Sequence, residues 1–185
     1  MRITAPRPES WLRKTAAGLY CEPGDFYIDP RLPAPRAVIS HGHGDHARPG
    51  NKRVLATSGT IAIMQLRYGE LAGGELQPLD YGETVIIGGV GVRLVPAGHV
   101  LGSAQIVLDY RGARVVVSGD YERRPDPTCA PFATAWRPAL RNPRHSRFAW
   151  ESLLGFKPDW NEPAPEPSLP AALWLLAEPA CRGPR

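Results

Sequence analysis

Every valine and isoleucine of this chain lies at or before Val117, and its last tyrosine is Tyr121. From Pro131 onward it carries ten prolines and four of its five tryptophans, Trp136, Trp150, Trp160 and Trp174. β-Branched and aromatic residues favour strands, whereas proline interrupts strands and helices alike. Residues 1–132 are therefore expected to form a β-rich globular unit that residues 133–185 do not continue. In that tail "NEPAPEPSLP" reads as an extended, polyproline-like linker, and only "SLPAALWLLAE", 168–178, has a helical look. The tail is expected to be irregular and to add no strand to the main sheet.

Within the first part, strand signals recur. "RAVIS" (36–40) and "RVLAT" (53–57) are short and apolar. "ETVIIG" and "GVRLVPAG" are joined through Gly88-Gly89, and "AQIVLDY" and "ARVVVSGD" through Arg111-Gly112; both read as hairpins. "SGTIAIMQLRYGE" (58–70) reads as a helix that Ser58 can cap. Its Ile61, Met64 or Gln65, and Tyr68 fall at helical spacing, and the Met and Ile stripe predicts core packing. A mostly antiparallel sheet with a helix against it is an α/β or α+β layered unit.

Composition excludes several classes. No apolar run approaches the roughly 18 residues that span a bilayer, and the N-terminus lacks a signal-peptide core. A cytoplasmic protein without a membrane partner is expected. Cys21, Cys129 and Cys181 have no CxxC spacing, which argues against a disulfide framework or a cysteine-based zinc site. A net charge of +4 permits a polyanionic partner without demanding one. The basic run "RNPRHSR" reads as a solvated segment rather than a binding surface.

The stretch "VISHGHGDHARPG", 38–50, places His41, His43 and His46 around Asp45 where a strand ends. Imidazole and carboxylate suit zinc and related divalent ions, and Gly42 and Gly44 let the backbone curl around one. "PAGHVLGSA" puts His99, and "VVVSGDY" puts Asp120, at two further strand ends. Taken singly, these two read equally well as a loop histidine and a turn carboxylate. Beside the first cluster they read as parts of one metal site, in which the two oxygens of an aspartate can bridge two cations.

"HGHGDH" resembles the His-x-His-x-Asp-His signature of the metallo-β-lactamase fold, an αββα sandwich with a dinuclear metal site. "PAGHVLGSA" followed by "SGDY" resembles its nucleic-acid branch, the β-CASP nucleases. "GLYCEPGDFYIDP", "PAGHVLGSAQI" and "VVSGDYERRPDPTCAPF" resemble the bacterial ligase-associated DNA exonucleases, also described as mRNA 3′-end processing exonucleases. The resemblance covers residues 10–132, the N-terminal half of such a sandwich. It implies that His41, His43 and His99 bind one metal ion, Asp45 and His46 the other, and that Asp120 bridges them. Asp45, His46 and Asp120 would then stand at the reacting centre, and Asp29, in "FYIDP", would orient the cluster rather than ligate it. Two divalent ions, expected to be Zn2+, would support phosphodiester hydrolysis at single-stranded DNA or RNA ends. A DNA ligase is the partner implied by family association, and the biological context is DNA repair or RNA processing.

The resemblance stops after Phe132. Family members insert a β-CASP cap there and later return with another ligand histidine, whereas His145 in "RNPRHSRFAW" matches no family motif and is not assigned. The second metal position is expected to be under-liganded. The tail is expected to come from a frameshift, a truncation or a fusion. A fragment that binds metal without turnover is a competing expectation.

Overall fold

The computed structural model describes residues 5–135 and Leu173–Trp174. Two sheets pack face to face, and a helix covers the outer face of the first. The six-stranded sheet runs in the order β1 (Leu12–Thr15), β2 (Gly18–Cys21), β3 (Phe26–Ile28), β4 (Ala37–Val38), β5 (Arg53–Ala56), β6 (Glu75–Pro78). Its first three strands are antiparallel and β3 to β6 are parallel. The five-stranded sheet is antiparallel throughout, in the order β11 (Leu173–Trp174), β10 (Ala113–Val117), β9 (Ala104–Tyr110), β8 (Val90–Pro96), β7 (Thr84–Ile87).

The expectation of a mostly antiparallel sheet holds for the second sheet and fails for three of the five pairings of the first. Parallel neighbours need a crossover connection, and helix α1 (Ser58–Tyr68) supplies it between β5 and β6. The pattern missed β6 because "ELQP" has no β-branched residue and ends in proline, which an edge strand tolerates.

Both predicted hairpins form. Ile87 faces Val90 across Gly88-Gly89, and Tyr110 faces Ala113 across Arg111-Gly112. All four loop residues have positive φ, as tight two-residue turns of type I′ require.

Strand alternation sorts the cores. Val38 and Leu55 face Val92, Leu94, Ile106, Leu108, Val115 and Val117 between the sheets. Ala37, Ile39, Val54 and Ala56 face Ile61 and Met64 of α1 on the other side. Full burial of a side chain such as Met64 stabilises by about 1.5–3 kcal/mol. The helix is capped by Thr57, one residue before the expected Ser58: its side chain accepts from the Thr60 backbone N–H at 3.2 Å.

The expectation that the tail adds no strand is corrected at two residues. Leu173 pairs with Val117 and Trp174 with Val116, so β11 covers what would otherwise be an open edge of β10. The same pairing overturns the helical reading of 168–178 at those positions. The other residues of that segment, "NEPAPEPSLP", "RNPRHSR" and His145 lie outside the described residues. No helix among the described residues is long and apolar enough to cross a membrane.

Candidate metal centre

Three loops meet at one end of the two sheets. The loop after β4 carries His41, His43, Asp45 and His46; those after β8 and β10 carry His99 and Asp120. The first loop belongs to one sheet and the other two to the second sheet. A backbone bond from the Ala104 N–H to the Ser40 carbonyl (2.8 Å) ties the two sides together. Gly119, with φ at 56°, brings the Asp120 turn against Ser40. A Cβ on Gly119 would lie 2.9 Å from the Ser40 Cβ, so no larger residue fits without movement.

The structure brings four ligand atoms within 4.8 Å of one another, from His41, His43, His99 and Asp120. His43 Nδ1 lies 3.1 Å from His41 Nε2 and 3.3 Å from His99 Nε2. Asp120 Oδ2 lies 3.8 Å from each of those two Nε2 atoms. Zinc bonds to nitrogen of about 2.0–2.1 Å in a tetrahedron place ligand atoms about 3.3 Å apart, so this set fits one ion with little adjustment. The other oxygen of the same carboxylate, Asp120 Oδ1, lies 3.7 Å from His46 Nε2, which in turn lies 3.7 Å from Asp45 Oδ2. Asp45, His46 and Asp120 thus form a second group of possible ligands beside the first, and Asp120 belongs to both.

The Nδ1 atoms of His41 and His46 are held from behind. Asp29 Oδ2 pairs with His46 Nδ1 at 2.8 Å and accepts from Ser40 Oγ at 2.6 Å, while Asp29 Oδ1 accepts from the Ser40 backbone N–H at 2.7 Å. Ser40 Oγ also lies 3.1 Å from His41 Nδ1. These contacts turn the Nε2 atoms of His41 and His46 toward Asp120, as carboxylate partners do for metal-binding histidines. Asp29 adopts a left-handed backbone, φ 43°, which aspartate tolerates better than most residues.

Electrostatics suit cation binding. Burial pushes the His41 pKa down to about 4, with repulsion from His46 adding and Asp29 and Asp120 opposing. Burial also lowers His99. Both rings are therefore neutral near pH 7 and offer lone pairs. Burial works against charge on His46 as well, but its hydrogen bond to Asp29 and the charges of Asp29, Asp120 and Asp45 outweigh it and raise that pKa. Burial opposes ionisation of Asp45, but its own backbone N–H and the surrounding imidazoles outweigh it and hold the carboxyl below the usual range.

Sequence reasoning missed Ser40 and Ser103. Ser103 Oγ accepts from the His99 and Val100 backbone N–H groups, at 3.0 and 3.2 Å, and so shapes the His99 loop. The serine four residues after His99 is an available signal for such a turn. A cavity of about 280 Å3 between β5 and β7, lined by Arg36, Arg53 and Glu75, shares no residue with the cluster.

The chain is 32% identical over 125 residues to a protein of Opitutus terrae named a probable DNA ligase, covering 67% of this chain and 12% of that one. It is 31% identical over 137 residues to a ribonuclease of Thermus thermophilus, covering 58% and 32%. It is 36% identical over 118 residues to the cleavage and polyadenylation specificity factor subunit 3-I of Arabidopsis thaliana, covering 48% and 17%. The chain thus spans at most 32% of the length of these relatives. The family model described as "Metallo-beta-lactamase superfamily" matches residues 30–160, a span that takes in β4 to β10 and every one of the clustered histidines and Asp120. By that match the chain belongs to the metallo-β-lactamase superfamily, whose members bind metal ions.

Proposed function

We propose that this chain is a cytoplasmic metal-dependent phosphodiester hydrolase of the ligase-associated DNA exonuclease type. His41, His43, His99 and Asp120 hold one divalent ion; Asp45, His46 and Asp120 hold another; Asp29 orients His46. The observation that carries the reading is the division of one carboxylate, with Asp120 Oδ2 facing His41 and His99 while Oδ1 faces His46. The imidazole-rich donor set favours zinc. Ions held there would offset the charge of a phosphodiester and lower the pKa of attacking water. The chain's own part is to present neutral imidazoles, to keep His46 turned by Asp29, and to hold two loops of one sheet against a loop of the other. With four side-chain ligands against three, the first position is the tighter.

Nucleic acid as substrate is supported by the relatives' names, and the net charge of +4 permits such a polyanion. A probable DNA ligase among the relatives favours DNA ends and association with ligation. The ribonuclease favours a second reading, cleavage of RNA at the same centre. The test measures metal content and digestion of single-stranded DNA and RNA on one preparation, with Asp120→Ala alongside. Metal-dependent digestion abolished in Asp120→Ala supports the proposal, and the preferred strand decides between DNA and RNA. Bound metal with no digestion of either substrate would replace it with a non-catalytic metal-binding role.

A further inference from the structure

Helix α1 stands behind the ligand loop. Gly42, between His41 and His43, packs so closely on the helix that a Cβ there would lie 2.7 Å from Ile63 Cγ2. One turn later, Arg67 Nη1 donates to the Gly42 carbonyl at 2.6 Å. Gly44 is flanked by the same guanidinium and by the Tyr68 hydroxyl, each 3.8 Å from where its Cβ would be. Positions 63 and 67 share a helix face, so one face of α1 touches the backbone joining the two histidines.

We infer that Arg67 is a positioning residue for the metal centre, an inference that rests on the metal-binding reading proposed above. The Gly42 carbonyl belongs to the peptide between two ligands, so its direction is coupled to the angle between His41 and His43. A hydrogen bond from a guanidinium is short and stronger than one from a neutral donor. Arg67 therefore holds the turn that sets His43 Nδ1 against His41 Nε2 and His99 Nε2. Arg67 hydrogen-bonds to the Gly42 carbonyl and to none of the clustered histidines or aspartates. Arg67→Met removes the donor and leaves the carbonyl without it. Arg67→Lys keeps one charged donor on a flexible stem.

The experiment uses the full chain and two metals. Zinc affinity is measured by competition with a chromophoric chelator, and the cobalt-substituted protein is examined by its visible d–d absorption, which reports coordination geometry. Leu66→Ser, on the exposed side of the same helix, is the control. Arg67→Met should weaken zinc about tenfold, the scale of losing a group behind a metal ligand, and should shift or broaden the cobalt bands. Arg67→Lys should recover most of the affinity, Leu66→Ser should match the wild type, and all three should melt like the wild type without metal. Wild-type affinity and an unchanged cobalt spectrum in Arg67→Met would overturn the inference while leaving metal binding intact. Equal loss of affinity in Arg67→Lys and Leu66→Ser would overturn it as mere helix damage. Failure of the wild type to bind either metal would overturn both this inference and the function proposed above.

Discussion

Asp29 carries three contacts on one carboxylate: the Ser40 N–H, the Ser40 hydroxyl and His46 Nδ1. Its charge fixes which His46 nitrogen faces Asp45 and Asp120. Asp29→Asn keeps a residue tolerant of the left-handed backbone, removes the charge and exchanges one of the two accepting oxygens for an NH2 donor. We expect zinc at the Asp45–His46 position to weaken about 10–100-fold, read by chelator competition, with the fold intact by circular dichroism. Gly119→Ala tests the backbone instead. Its positive φ costs an alanine about 1 kcal/mol or more, and the clash with Ser40 adds to that. We expect a loss of about 1–3 kcal/mol in urea unfolding and weaker zinc binding, because the same turn carries Asp120.

At the scale of elements, α1 connects the loops of both sheets. Thr57 caps it and its hydroxyl donates to the Gly102 carbonyl at 2.6 Å, in the loop that follows His99; Thr60 Oγ1 reaches the same carbonyl at 3.0 Å. Thr57→Ala removes a cap and this clamp, so we expect about 1–2 kcal/mol lost in chemical unfolding. Ser58→Ala should cost less than half of that, since Ser58 is not the cap. The hairpins and helix were legible because their signals are local: paired glycines or Arg-Gly at two-residue turns, and Ile61 and Met64 at helical spacing. The convergence of the histidines and aspartates was legible because they sit at strand ends in short distinctive motifs. Arg67 on Gly42 and Thr57 on Gly102 were not, since those contacts join residues 25 and 45 positions apart and leave no periodic trace. The parallel pairing of β3 to β6 was hidden for a related reason: two of those strands span only two and three residues.

At the scale of the whole molecule, the candidate centre draws its ligands from both sheets, so binding there joins the two layers as well as the loops. Metal that binds the folded chain stabilises it by mass action, about 2.7 kcal/mol at a hundredfold excess over Kd. Thermal melts should therefore rise with added zinc and fall with chelator. The central claim is that one carboxylate, Asp120, serves two metal positions of unequal strength. Titration calorimetry with Zn2+ on the wild type and on Asp120→Ala tests it most directly. The account predicts one tight and one weaker ion per wild-type chain, and in Asp120→Ala a loss of the weaker event together with a weakened tight one. Identical isotherms for the two proteins, or a variant that loses one event and leaves the other untouched, would contradict it.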